Sequence, residues 1–246
     1  MTHAGYFEGI GGFSLGAKWA GINTVYTCEL DEYRHSWLKA INPNATHERD
    51  ITTSMGQAAD IFTGGFPCQD ISCANPKGLG LRGARSGLWF DYFEQIKRHR
   101  PSYAVVENSP NLLHKGLESI LRCFASIGYY AEWRNISKRS LGFPDLRKRL
   151  IIIAYPDQVG RQSSSRVFDR VAYKMCQQKV IQKKQLWLEA LRMDNPQAFG
   201  QTVALYNEAD TGLSRGLVKA EIEAYGDAIC PYVAMLIFEL ILQHHR

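Results

Sequence analysis

The chain has 246 residues, of which 45% are hydrophobic and 22% charged, and its formal net charge is +5. That length makes one large domain, or a large domain with a small one, and the composition builds a sizeable core without a metal or disulfide staple. The six cysteines form no C-x-x-C pair and no zinc-like spacing with histidine, Met1–Gly5 is no secretory signal, and the longest apolar run, Val233–Leu242, is too short to span a bilayer, so a cytoplasmic protein with reduced thiols is expected.

Up to about Tyr155 short apolar runs alternate with amphipathic stretches. Ala4–Phe7, Thr24–Cys28, Asp60–Thr63, Tyr103–Glu107 and Arg149–Tyr155 read as strands, and Gly12–Ala20, Glu32–Ile41, Gly87–Arg98 and Leu112–Ile127 as the helices between them. This alternation predicts an α/β fold with parallel βαβ units, in which ligands sit outside the carboxyl ends of the strands. After Tyr155 the pattern changes. Pro156–Glu223 is polar and basic, with a long helix predicted near Val171–Leu191. Pro231 suits a helix first turn, and Val233, Leu236, Ile237, Leu240 and Ile241 follow at helical spacing, so a final apolar helix should pack back onto the large domain. Positions 161–192 hold eight Lys or Arg against Asp169 and Glu189, a surplus of six that leaves the rest of the chain near neutral. Such an island suits a polyanion, although a solvated helix face has the same composition. Lys183 and Lys184 are its expected phosphate contacts.

Four motifs fall at predicted strand ends. Phe7-Glu8-Gly9-Ile10-Gly11-Gly12 is a glycine turn opening a helix, where backbone can approach a ligand closely. Glu29 ends the next strand, within reach of ribose hydroxyls. A plain tight turn reads the same way, and Ser14 stands where a dinucleotide fingerprint has its third glycine. Gly64-Gly65-Phe66-Pro67-Cys68-Gln69 places a cysteine in a loop rather than a core, unlike the buried small hydrophobe that most free cysteines are. Glu107-Asn108 ends the strand that should lie beside it, either as a carboxyl facing Cys68 or as a helix cap. Arg147 and Arg149 share one strand face, presenting guanidinium forks to a phosphate or base, or forming a basic edge.

The order of these motifs, closed by Gly226-Asp227-Ala228-Ile229-x-Pro231, closely resembles the cytosine-C5 DNA methyltransferase family of phages and restriction–modification systems, over residues 4–155 and 224–243. The resemblance implies a Rossmann-like S-adenosylmethionine-dependent sheet with a small target-recognition domain. The catalytic domain would be 1–155 with 224–246, and the recognition region 156–223. It assigns S-adenosylmethionine to Phe7, Gly9, Ile10, Gly11 and Gly12, to Glu29 and Leu30 at the ribose, to Asp50 and Ile51 at the adenine, and to Pro67, Asp227 and Ala228. It makes Cys68 the nucleophile toward cytosine C6, Glu107 the contact to the ring edge, and Arg149, with Arg147 beside it, a contact near the base. The loop Ser72–Ser86, with Lys77, Arg82 and Arg85, resembles the family's loop that closes over a flipped base. The implied partners are double-stranded DNA and a cognate restriction endonuclease, for a chain acting as a monomer without metal or membrane.

Asp145 stands where the family has glutamine, Ser109 follows Glu107-Asn108 in place of valine, Asp227 replaces asparagine, and the arginine-rich motif before the last helix is absent. These departures keep a catalytically dead DNA-binding member among the alternatives. A tRNA cytosine-C5 methyltransferase shares the same residues. A nicotinamide oxidoreductase is suggested by the glycine turn and Glu29, against the missing third glycine and the Pro67-Cys68-Gln69 loop.

Overall fold

The computed structural model describes residues 1–67, 87–143, 145–157, 166–194 and 229–245. Its centre is a seven-stranded sheet. In chain order the strands are β1 (Thr2–Tyr6), β2 (Asn23–Cys28), β3 (Thr46–Glu48), β4 (Ile61–Gly64), β5 (Tyr103–Asn108), β6 (Tyr129–Ser137) and β7 (Lys148–Pro156), and across the sheet they run β3-β2-β1-β4-β5-β7-β6. Strands β1 to β5 are parallel, and β7 is inserted antiparallel between β5 and β6. The chain winds outward from β1 in one direction and from β4 in the other, so the β1/β4 boundary is the switch point where open α/β sheets bind ligands. Because β7 runs backward, its first residues reach the same edge as the carboxyl ends of β1, β2, β4 and β5.

Both faces of the sheet are covered, as near-continuous apolar strands require. The helices are α1 (Gly12–Trp19), α2 (Glu32–Ile41), α3 (Leu88–His99), α4 (Leu112–Lys115), α5 (Leu117–Ser126), α6 (Arg170–Asp194) and α7 (Pro231–His245). Alternate residues of each strand feed opposite layers. Tyr103, Val105, Ile151, Ile153 and Tyr155 pack with α1, α6 and α7, while Ala104, Val106, Leu150, Ile152 and Ala154 pack with α3 to α5.

Helix α7 is apolar almost all round, and Val233 through Leu240 are buried without a gap. It lies so close to α1 that a Cβ at Gly12 would come within 2.2 Å of the Ile229 carbonyl, and one at Gly16 within 2.5 Å of Ala234 Cβ. Those glycines allow the end of the described chain to return to the glycine turn.

Helix α6 also belongs to this layer. Tyr173, Cys176 and Val180 are buried in the shared core at helical spacing, and Lys179 pairs with Glu239 of α7 at 2.6 Å. Lys184 continues the buried face. Its ammonium donates to the Leu141 and Gly142 carbonyls at 2.8 and 3.0 Å and lies 4.2 Å from the Phe143 ring centre. The expectation that Lys184 grips phosphate is therefore corrected: the side chain is 8% exposed and its donors face inward. Lys183 donates to the Trp19 carbonyl.

Three further differences have local causes. The helix expected over Leu112–Ile127 is interrupted at Gly116, giving α4 and α5. Strand β3 is only three residues long, too short to show a period. Strand β6 is an edge strand whose outward residues include Tyr130, Trp133 and Asn135, so polar and aromatic side chains hide its alternation. Among the described residues no helix is long and apolar enough to cross a membrane.

Candidate active site at the carboxyl edge of the sheet

The turn after β1 is held in a conformation that most residues resist. Phe7, Gly9 and Gly11 have φ of 54°, 58° and 86°, all in the left-handed region. Glycine adopts it freely, whereas Phe7 does so at a cost on the order of 1 kcal/mol. The Phe7 N–H donates to the Cys28 carbonyl at 2.9 Å, which ties the turn to β2. At the end of β2, the buried Glu29 carboxylate accepts from the Gly9 N–H at 2.8 Å and from the Asp31 N–H at 3.1 Å. Burial raises the Glu29 carboxyl above its ordinary range, and those two N–H groups oppose the shift. A Cβ at Gly9 would meet nothing within 4 Å, so the turn faces open space. Ile10 is half-buried in the turn, Gly12 starts α1 beneath it, and Leu30 beyond Glu29 is 63% exposed. Asp50 is exposed beyond β3, with its carboxylate accepting from the Thr52 N–H and hydroxyl at 2.9 and 2.8 Å, which lowers its pKa. Ile51 next to it is buried.

The second half of the site lies across the switch point. After β4 come Gly65, the buried Phe66 and then Pro67. The Asn108 amide donates to the Phe66 carbonyl at 3.1 Å and so anchors this segment to the end of β5. Glu107, the preceding residue of β5, turns its carboxylate over Gly65, where a Cβ would lie 2.9 Å from Oε2. A side chain there would displace the Glu107 carboxylate. Arg149 of β7 donates from Nε to Glu107 Oε1 at 2.8 Å. The antiparallel register, with Glu107 opposite Ile151, sets the two side chains on one face two residues apart across the ladder.

Arg147 is engaged by Asp145. It donates to Asp145 through both its backbone N–H and its guanidinium at 2.7 Å, and Lys138 reaches the same carboxylate at 2.9 Å. Burial alone would raise the Asp145 carboxyl, but the bonds from Lys138 and Arg147 outweigh it and hold the carboxyl at about 2. Lys138, Arg147 and Arg149 line a small cavity with Ile136, Ile229, Cys230 and Val233.

The structure thus gathers Phe7, Gly9, Gly11, Gly12, Glu29, Pro67, Glu107, Arg147 and Arg149 along one edge of the sheet. Cys68, Asp227, Ala228 and the Ser72–Ser86 loop lie outside the described residues. Sequence reasoning passed over Lys138 and the anchoring role of Asn108. The only signal for the first is a lysine nine residues before the Arg147-Lys148-Arg149 run.

A mixed sheet with this strand order, a glycine turn at the switch point and an acidic end to β2 defines a Rossmann-like methyltransferase fold. The profile of the C-5 cytosine-specific DNA methylase family matches residues 1–216, and the chain belongs to that family. It is similar to the type II methyltransferase M2.BsuMI of Bacillus subtilis (strain 168), with 34% identity over 163 residues, covering 63% of this chain and 42% of that protein. The type II methyltransferase M.HpaII of Haemophilus parainfluenzae is 32% identical over 176 residues, covering 67% of this chain and 49% of its own length. The chain therefore spans somewhat under half the length of these curated relatives. The fold is shared with the methyltransferase EhMeth of Entamoeba histolytica, at TM-score 0.53 and 16% identity over 63% of this chain and 52% of that one. It is shared also with the Dnmt2 methyltransferase of S. pombe, at TM-score 0.51 and 17% identity over 65% of this chain and 53% of that one.

Proposed function

We propose that this chain transfers a methyl group from S-adenosylmethionine to C5 of cytosine in double-stranded DNA, with Cys68 as the nucleophile. The observation that carries this reading is the Glu107 carboxylate, held by Arg149 over Gly65 beside the segment that leads through Phe66 and Pro67 to position 68.

The residues present fit the cofactor. The glycine turn is open above Gly9, the N-terminus of α1 follows it, and Glu29 ends the neighbouring strand with a carboxylate able to accept ribose hydroxyls. Phe7, Ile10, Gly11, Gly12, Leu30, Asp50, Ile51, Pro67, Asp227 and Ala228 complete the proposed contacts. When bound, the cofactor supplies an electrophilic methyl on a sulfonium.

Cytosine C5 is a poor nucleophile because the ring is aromatic. Addition of the Cys68 thiolate to C6 breaks that aromaticity and makes C5 enamine-like. Glu107 holds a proton at N3 and so stabilises the adduct, while Arg149 keeps Glu107 in place. C5 would then take the methyl that the bound cofactor supplies, the sulfonium being left as a thioether, and loss of the C5 proton to solvent and of the Cys68 sulfur from C6 would restore the ring. The target must leave the base stack first, because C6 is inaccessible within a duplex. The Arg147–Asp145–Lys138 cluster lies beside this edge, and its surplus positive charge suits a flanking phosphate. We assign residues 1–155 and 224–246 to catalysis and 156–223 to target recognition, the buried face of α6 anchoring that region to the catalytic core, in a monomer acting in the cytoplasm beside a cognate restriction endonuclease.

Methyl transfer from labelled cofactor to DNA and to tRNA tests the reading directly. DNA should be labelled, and bisulfite sequencing should place the label on cytosine. DNA carrying 5-fluorocytosine at the target should trap the wild-type chain covalently, and Cys68→Ser should neither trap nor turn over. Normal methylation by the serine variant would refute the mechanism, and labelling of tRNA alone would refute the substrate.

A further inference from the structure

Within the glycine turn one residue points the other way. Glu8 folds its side chain beneath the turn, into the sheet, and is 3% exposed. Its carboxyl occupies the space that a side chain at Gly5 would need: a Cβ there would lie 2.0 Å from Glu8 Oε1 and 2.4 Å from Cδ. Oε2 accepts from the Ser14 hydroxyl at 3.1 Å and from the Ser14 N–H at 3.4 Å, in the first turn of α1. Oε1 has no hydrogen-bond partner among the described residues and stands 3.6 Å from His3 Nε2. His3 is in turn held between the Thr24 hydroxyl at 3.0 Å and the Thr63 hydroxyl at 2.7 Å, which bridges β2, β1 and β4 under the switch point.

We propose that Glu8 is a positioning residue for the cofactor turn, joining α1 to β1 from below, and that it makes cofactor affinity depend on pH. This rests on the reading of the turn as the S-adenosylmethionine site. Titratable groups face Glu8 from two elements, His3 on β1 and Glu29 at the end of β2. From α1 the Ser14 hydroxyl and N–H and from β4 the Thr63 hydroxyl enter the network, and α7 closes it with the Phe238 ring edge-on to His3 at 5.3 Å. Burial pushes the Glu8 carboxyl up to about 8, and the Glu29 carboxylate adds to the shift against the Ser14 bonds. Burial also pushes His3 down to about 3, so it is neutral and offers no countercharge. At neutral pH the pair therefore carries one proton on Glu8 and no net charge. Ionisation leaves a buried anion with a single bonded oxygen, and the N–H groups nearest to it in sequence belong to the glycine turn, so the turn deforms to supply them.

Affinity for S-adenosylmethionine, measured by calorimetry from pH 6.5 to 9, tests this in wild type and Glu8→Gln. The amide is an uncharged isostere of the protonated acid, and the ratio of the two affinities at each pH cancels the cofactor's own titration. If only the neutral form binds, wild type should lose about tenfold relative to Glu8→Gln between pH 7 and pH 9, from the fraction remaining competent. Gly5→Ala, which evicts the carboxyl from its seat, should weaken binding at pH 7 and also flatten the profile. Parallel profiles for wild type and Glu8→Gln would overturn the positioning role while leaving the cofactor site standing. Failure of wild type to bind at any pH would overturn both.

Discussion

Replacing Lys184 with methionine keeps an unbranched stem against Phe143 and removes the ammonium. The structure sets what is lost: bonds to the Leu141 and Gly142 carbonyls at 2.8 and 3.0 Å, and a cation–π contact at 4.2 Å. Charge-assisted bonds contribute about 1.5–3 kcal/mol each and a desolvated cation–π contact about 0.5–2 kcal/mol. Burial costs the ammonium part of that, as its lowered pKa records, so the net loss should be about 2–3 kcal/mol. The damage should centre on the turn from Lys138 to Gly142, which also carries one partner of Asp145. Urea unfolding should show a lower midpoint with an unchanged slope, and for a chain of this size the melting temperature should drop by about 5–10 °C. DNA binding by the folded variant should keep its salt dependence, because a lysine bonded to two carbonyls neutralises no phosphate. A variant as stable as wild type, with a salt slope flatter by about 0.9, would place Lys184 on DNA and refute the packing argument.

Gly16→Val should push α7 off α1, since even a Cβ would sit 2.5 Å from Ala234 Cβ and 2.7 Å from Met235 N. A loss of about 1–3 kcal/mol in denaturant is expected, partly restored by Ala234→Gly. Unchanged stability would mean that the helices do not cross there. Asp145→Asn should cost about 1–2 kcal/mol at pH 7, because Lys138 and Arg147 hold the native carboxyl at about 2 against an ordinary value of 3.8, and solvent around the half-exposed Arg147 screens part of that difference. A depressed carboxyl stabilises above its ordinary value and loses that contribution as pH falls through the native one. The gap between wild type and variant should therefore close as urea midpoints are followed from pH 5 toward pH 2, and a gap that stays constant over that window would argue against the ion pairs as its source.

Much of the first 155 residues is legible in the sequence because the signals there are local. Strand periods and the glycine turn opening α1 depend on neighbours a few residues away, as does the proline opening α7 farther along, and the order of motifs that carries the family resemblance is read from the same local signals. The rest depends on partners distant in the chain. That β7 enters the sheet backward follows from no local pattern, yet it alone brings Arg149 to Glu107, 42 residues earlier, with 2.8 Å between the charged groups. The basic surplus of α6 reads as a surface until the helix is docked and Lys184 faces carbonyls near the end of β6. Glu8 looks like one more polar turn residue until its carboxyl is found in the space left by Gly5, beside a histidine made neutral by burial. Composition and period register which residues can be buried. Only the close packing of strands and helices around one core determines which polar groups are buried with them, because each must find its donor or acceptor there and not in water.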